Sequence, residues 1–130
     1  QAGILLNLGL ALKDAGRWRE AETRLRQILK LEPANAEARV NLASILAEPA
    51  RNMADQKELQ HAANLCQEVL QQQPALPQAW VNLGVIRQAL GAVPQALECF
   101  QRALELQPEN ADARYNLAIA ELRAGQFAAG

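Results

Sequence analysis

Residues 77–110 read PQAWVNLGVIRQALGAVPQALECFQRALELQPEN. This stretch predicts the architecture of the whole chain. In the first half, apolar residues recur three and four positions apart until Gly91, which is the spacing of one stripe along an α-helix. Glycine readily adopts the conformation that ends a helix. A second stripe follows and ends at Pro108, with Pro94 tolerated in the first turn of its helix. The stretch therefore predicts two antiparallel helices joined by a turn.

One motif of this pair returns at a spacing of 34 residues, from Asn7 to Asn41 and from Asn82 to Asn116. Its four copies are Asn7-Leu8-Gly9, Asn41-Leu42-Ala43, Asn82-Leu83-Gly84 and Asn116-Leu117-Ala118. A fixed period of this size predicts a solenoid, in which each helix pair buries its apolar face against the next pair. The predicted fold class is therefore all-α.

These residues resemble the tetratricopeptide repeat, whose pattern has an aromatic residue and Leu-Gly, then alanine, a large aromatic residue, alanine and proline. The third copy fits this pattern at Trp80, Leu83, Gly84, Ala96, Phe100, Ala103 and Pro108. The resemblance implies a right-handed superhelix of antiparallel helix pairs, with the first helix of each pair on the concave side. About three and a half repeats are expected, at 2–35, 36–76, 77–110 and a partial 111–130.

The second copy spans 41 residues, seven more than its neighbours, and the extra residues fall near 48–54. Pro49 disfavours a helical conformation at Glu48, so we expect an enlarged turn between the two helices. Both a contact loop and a plain length variation are compatible with this insertion.

The fourth copy matches the pattern through Gly125 and Phe127, and the chain stops at Gly130, where a second helix should begin. No Met opens the chain. We therefore expect a fragment of a longer protein.

A small residue closes each copy of the Asn-Leu motif, and each second helix carries an alanine that could face it. Helices that cross closely need small residues at the contact, so these positions are predicted to serve packing. The small residues are Gly9, Ala43, Gly84 and Ala118, and the alanines are Ala21, Ala62 and Ala96.

The composition limits the classes of function. The chain has 130 residues, of which 50% are hydrophobic and 4% aromatic, and its formal net charge is −1. Interspersed charges of both signs do not favour nucleic acid as a partner. No apolar run approaches the roughly 20 residues of a membrane span, so membrane insertion is not expected. A cytoplasmic location is only a default, because a targeting signal could lie outside a fragment.

No catalytic or metal-binding motif can be recognised. His61 has no paired Cys, Asp or Ser in a motif, and Cys66 and Cys99 lie 33 residues apart, outside any metal-ligand spacing. Buried thiols are the simplest interpretation, and a disulfide would need Cβ atoms about 4 Å apart. The glycines are explained by helix packing and helix ends rather than by a phosphate loop. We therefore expect no enzyme, no cofactor and no metal within these residues.

One row of the predicted concave side is asparagine in every copy: Asn7, Asn41, Asn82 and Asn116. Asparagine is unfavourable inside helices, so its recurrence at one repeat position indicates a role that compensates for this cost. Amide side chains can both donate to and accept from the backbone of an extended peptide. The row resembles the asparagine ladder of O-linked N-acetylglucosamine transferase. The alternative is that these side chains bond the two helices of one pair to each other.

The neighbouring rows are apolar where exposure is expected, which is typical of a partner surface. They comprise Leu6, Val40, Val81 and Tyr115, with Leu10, Val85 and Ile119 beyond them. Missing parts of a longer chain or another copy of this one could also cover them. Only Lys13 and Arg123, at opposite ends, offer positive charge, so a clamp for acidic peptide tails is not expected.

These observations predict a non-enzymatic scaffold that binds a peptide segment of a partner protein in its concave groove. One alternative is a substrate-recruiting arm of a larger enzyme, such as a glycosyltransferase. Another is a module that assembles with itself through the open solenoid ends.

Overall fold

A computed structural model describes the backbone of residues 2–46 and 56–129, and the side chains of residues 7–46 and 56–125. Within these residues the chain forms seven helices and no strand. They are α1 (Ala2–Asp14), α2 (Trp18–Leu31), α3 (Ala36–Leu46), α4 (Gln56–Gln72), α5 (Pro77–Ala89), α6 (Val93–Leu106) and α7 (Ala111–Ala129). The insertion predicted near 48–54 lies outside the described residues.

The helix ends follow the local chemistry of the sequence. Gly16 and Gly91 lie just beyond α1 and α5 with φ of 79° and 85°, a conformation that side chains with a Cβ rarely adopt. Pro77 and Pro94 lie in the first turns of α5 and α6, where a missing N–H breaks no helical hydrogen bond. The predicted pair within 77–110 is therefore confirmed.

The helices stack as pairs in two layers. Each helix contacts the next one along the chain, and the first helices of the pairs also contact one another, as α1–α3, α3–α5 and α5–α7. No comparable contact joins the second helices α2, α4 and α6 within the described residues. The first helices therefore form the inner layer, as expected when a stack of pairs curves. The structure confirms an all-α solenoid of helix pairs.

The core runs between the layers as a continuous apolar cluster from Leu12 to Cys99, with smaller clusters that join α7 to α5 and α6. Ala21, Ala62 and Ala96 are fully buried on the second helices. Their small size lets the helix pairs approach closely. These three alanines are packing residues, as predicted.

The close approach at Gly84 involves a different partner from the one expected. A Cβ on Gly84 would lie 2.8 Å from Cδ1 of Phe100, well inside van der Waals contact. At the same place in the first repeat, a Cβ on Gly9 would lie 3.5 Å from Cδ2 of Leu25, an ordinary contact. The glycine is therefore required where α6 presents an aromatic ring, because the ring occupies the space that a Cβ would need.

Helix α7 is longer than the first helices of the other pairs. Gly125 has the repeat position of Gly91, but α7 continues through it to Ala129. A helix that continues through Gly125 keeps its backbone hydrogen bonds.

Candidate peptide-binding groove

The four asparagines of the motif lie on α1, α3, α5 and α7, the inner layer of the solenoid. Their exposure differs along the row. Asn7 is exposed, Asn41 and Asn116 are half-buried, and Asn82 is buried with 7% of its surface exposed. The structure therefore assigns different environments to residues that the repeat makes equivalent.

Asn82 joins two repeats. Its Nδ2 donates to the backbone carbonyl oxygen of Val40 on α3 at 3.2 Å, and its Oδ1 accepts from Nε2 of Gln78 at 3.0 Å. A buried amide needs such partners, because an unsatisfied polar group costs stability. The structure thus shows helix-to-helix bonding at this position, although it joins successive pairs rather than the two helices of one pair.

The side-chain amides of Asn41 and Asn116 form hydrogen bonds within their own helices. Each Nδ2 donates at 2.8 Å to the carbonyl oxygen four residues earlier, that of Glu37 for Asn41 and that of Asp112 for Asn116. Asn41 Oδ1 also accepts from Lys13 Nζ at 3.4 Å. These bonds fix the side chains against the inner surface while leaving part of each amide exposed, since Nδ2 carries a second hydrogen.

The expectation that the apolar row beside the asparagines is exposed is wrong for Val40 and Val81. They are only 6% and 3% exposed, because the next repeat covers them. Val81 packs with Ala103 of α6 and Ala113 of α7. Tyr115, at the same repeat position on α7, is 68% exposed. The side chain of Leu6 lies outside the described residues.

The second apolar row keeps partial exposure. Leu10, Val85 and Ile119 are each half-buried on α1, α5 and α7. Ser44 occupies the same repeat position on α3 and is also half-buried. This row can therefore contact both the core and a bound molecule, whereas Val40 and Val81 mainly contact the core.

A hollow of about 490 Å³ opens between the N-terminal halves of α3 and α5. Its lining combines apolar walls with amides and one carboxylate, from Ala36, Glu37, Val40, Asn41, Gln73, Leu76 and Gln78. Glu37, which precedes Asn41 by one helical turn, was not among the predicted groove residues. Its position at the start of a first helix, on the face shared with the asparagines, could have indicated it.

Two further hollows adjoin Trp80 and involve the second helices. One of about 560 Å³ includes Leu70 of α4 and Arg87 of α5, and another of about 230 Å³ includes Arg102 of α6. The indole Nε1 of Trp80 donates to the carbonyl oxygen of Pro74 at 2.8 Å. Because this bond satisfies the only polar group of Trp80, the residue is accounted for by packing at the turn between repeats.

The titratable groups singled out in the sequence do not form a reactive cluster. Cys66 and Cys99 are free and fully buried. Burial raises the pKa of Cys66 to about 12, the nearby Cys99 adds to this, and Arg87 opposes it. Burial likewise raises the pKa of Cys99, against the effect of Arg87, whose Nη1 donates to Sγ at 3.4 Å. Both thiols therefore stay protonated at neutral pH.

His61 is exposed on α4. In the part of the chain that the structure describes, no three His, Cys, Asp or Glu side chains are grouped so that they could hold a metal ion. None of the described helices combines the length and the apolar character needed to cross a membrane.

The chain is similar to Protein O-mannosyl-transferase TMTC3 of Mus musculus, with 28% identity over 131 residues. This match covers 90% of the chain but 14% of the relative, so the chain spans about one seventh of that protein. The likeness concerns one part of TMTC3.

Solved structures share the fold. The first TPR of Spaghetti (RPAP3), bound to the HSP90 peptide SRMEEVD, superposes with a TM-score of 0.81 at 23% identity, covering 96% of this chain and 94% of that one. An O-GlcNAc transferase mutant of Thermobaculum terrenum superposes with a TM-score of 0.82 at 24% identity, covering 92% of this chain and 22% of that one. Sequence profiles described as Tetratricopeptide repeat match residues 6–77, 77–110 and 99–129. The chain therefore belongs to the tetratricopeptide repeat family.

Proposed function

We propose that this chain is a protein-interaction module that holds an extended peptide segment of a partner along its inner layer. The observation that carries this proposal is the row of amides on the first helices beside the hollow between α3 and α5. A surface that offers both hydrogen-bond donors and hydrogen-bond acceptors is suited to bind the backbone of a peptide. The module itself performs no catalysis in this proposal.

The asparagines contribute unequally. Asn7, Asn41 and Asn116 are at least partly exposed, so their amides can exchange hydrogen bonds with a peptide backbone. Asn82 is buried and already bonded to Val40 and Gln78, so its contribution is to hold the repeats that carry the groove. Side-chain selectivity then comes from the residues between the asparagines.

Apolar contacts would supply part of the affinity. Leu10, Val85 and Ile119 retain exposure next to the asparagine row, and Tyr115 presents most of its ring. Aromatic and aliphatic side chains that lose contact with water on binding typically dominate the affinity of such surfaces.

The test compares wild-type protein with an Asn41→Ala variant in a capture experiment read by mass spectrometry. Asn64→Ala is the matched control, because Asn64 is exposed on the second helix α4. A partner that is captured by the wild type and the control but lost with Asn41→Ala supports the groove. Equal capture by all three proteins would place the contact on another surface and contradict the proposal.

A second candidate is a substrate-recruiting arm of a larger enzyme. The observation that favours it is the match to part of two proteins named as transferases, TMTC3 and O-GlcNAc transferase. The full reading frame around the chain tests it. A catalytic domain in the same frame would support this candidate, and a frame without one would leave the free-standing interaction module.

A further inference from the structure

We infer that the hollow between α3 and α5 receives a basic side chain, lysine or arginine, of the bound peptide. The inference rests on the proposed function and names the chemistry that the groove would select. It depends on three properties of the hollow: its charge, its apolar walls and its hydrogen-bond acceptors.

The residues that line the hollow carry one negative charge. Glu37 is the one ionisable residue among those that line it. No ion pair among the described residues involves Glu37, whereas the neighbouring Arg39 pairs with Glu68 at 3.2 Å. Lys13 Nζ lies 3.4 Å from Oδ1 of the lining residue Asn41, so one cation adjoins the hollow without lining it. The carboxylate of Glu37 is exposed, so a cationic side chain of the peptide can reach it and be attracted by its charge.

The walls suit the stem of a long basic residue. Ala36, Val40 and Leu76 contribute apolar surface beside the carboxylate. Lysine and arginine carry three or four methylene groups below the charge, and these commonly pack along apolar surface while the charged end reaches a polar group. A short polar side chain would leave the apolar walls in contact with water. A purely apolar side chain would give the Glu37 carboxylate no cation to pair with.

Gln78 adds a hydrogen-bond acceptor for a donor on the bound side chain. Gln78 Nε2 already donates to Asn82 Oδ1, so Gln78 Oε1 is available as an acceptor beside Glu37. Asn41 Nδ2 likewise donates to the Glu37 carbonyl. Arginine has five N–H donors and lysine three, and neither has an acceptor. The same arrangement repels an acidic side chain, since carboxylates would then face each other.

The test uses an array of acetylated and amidated nonapeptides with neutral, degenerate flanks and one fixed central residue. Wild-type protein should bind arginine- and lysine-centred peptides roughly tenfold better than norleucine-centred ones. One charge-assisted hydrogen bond typically lowers a dissociation constant by about that factor. Glu37→Gln should remove this preference and leave binding of the norleucine peptides unchanged. Glu37→Lys should transfer the preference to glutamate-centred peptides.

The matched control is Asp112→Asn. Asp112 lies at the same repeat position in the first turn of α7, but it does not line the hollow. This variant should keep the preference for basic peptides. Binding of peptides without a basic preference, or a preference that survives in Glu37→Gln, would overturn this inference and leave the proposed function standing. Binding of no peptide by a folded wild-type protein would contradict both.

Discussion

The side-chain amide of Asn82 donates to the backbone carbonyl of Val40, a residue 42 positions earlier in the chain, across 3.2 Å. The bond crosses from the first helix of one repeat to the first helix of the repeat before it. Because both residues are buried, water cannot easily replace the bond. Asparagine was predicted to contact a bound peptide, but Asn82 instead forms part of the joint between two successive repeats.

We expect Asn82→Ala to lower the free energy of unfolding by about 1–2 kcal/mol, because the bond to Val40 is lost and Gln78 loses its acceptor. Asn41→Ala should change it by less than about 0.5 kcal/mol, since its bond lies within one helix and is partly exposed. Urea unfolding followed by circular dichroism measures both. Equal values for the two variants would contradict the assignment of Asn82 to the joint.

Two glycines of the same motif should respond oppositely to alanine. At Gly84 the added Cβ would overlap the ring of the fully buried Phe100, so stability should fall by about 1–3 kcal/mol. At Gly9 the nearest atom is at an ordinary distance, so stability should rise by about 0.5–1 kcal/mol through helix propensity.

Thermal melts of the two glycine variants would show the difference. Adding Phe100→Leu to Gly84→Ala should recover part of the loss caused by overlap, because the flat ring would be gone. A Gly84→Ala protein as stable as the wild type would show that α6 can shift to accommodate the methyl group.

Val81 and Tyr115 form a second contrasting pair at one repeat position. Val81→Ala should lower the free energy of unfolding by about 1–3 kcal/mol, because it leaves a cavity between α5, α6 and α7. Tyr115→Ala should hardly change stability, since most of the side chain is in water, but it should weaken peptide capture. Chemical denaturation and capture, run on the same samples, separate the two effects. Intact capture by Tyr115→Ala would remove Tyr115 from the groove.

Stability should fall at alkaline pH through Cys66. The thiol ionises near 9.0 when unfolded, but burial holds its pKa at about 12 in the folded protein. Above pH 9 the unfolded state therefore loses a proton that the folded state keeps, and the free energy of unfolding falls by up to about 1.4 kcal/mol per pH unit for this group. Below pH 9 this contribution is fully present.

The measurement is urea unfolding between pH 8 and 10.5 for the wild type and Cys66→Ala. The other groups that titrate in this range are common to both proteins, so the difference between the two slopes isolates Cys66. Parallel slopes would mean that the thiol is accessible to water in the folded state.

The fold could be predicted from the sequence because its signals are local. The stripe that ends at Gly91 and the proline in the first turn of α6 each depend on a few neighbouring residues, and the structure confirms both. The stacking of pairs followed from the period, because a single pair cannot bury its own apolar face. Helix α7 departed from the pattern, because it continues through Gly125 to Ala129.

The site was harder to predict because it depends on contacts between repeats. Val40 and Tyr115 occupy equivalent positions in the sequence pattern, yet one is covered by the next repeat and the other is not. The partner of Asn82 is likewise a backbone group in another repeat, which no spacing within one copy could reveal. Glu37 became apparent only when α3 and α5 were seen to enclose a hollow.

The inner-layer contacts also have a mechanical consequence. Because, among the described residues, successive first helices contact each other more closely than the second helices do, a change in the bend between two repeats acts on the inner surface. The bond between Asn82 and Val40 resists that change at the repeat that bears the hollow. Binding of a molecule that lies across both repeats would therefore depend on the distance between the repeats as well as on their side chains. Its binding would in turn make the superhelix harder to stretch at that point.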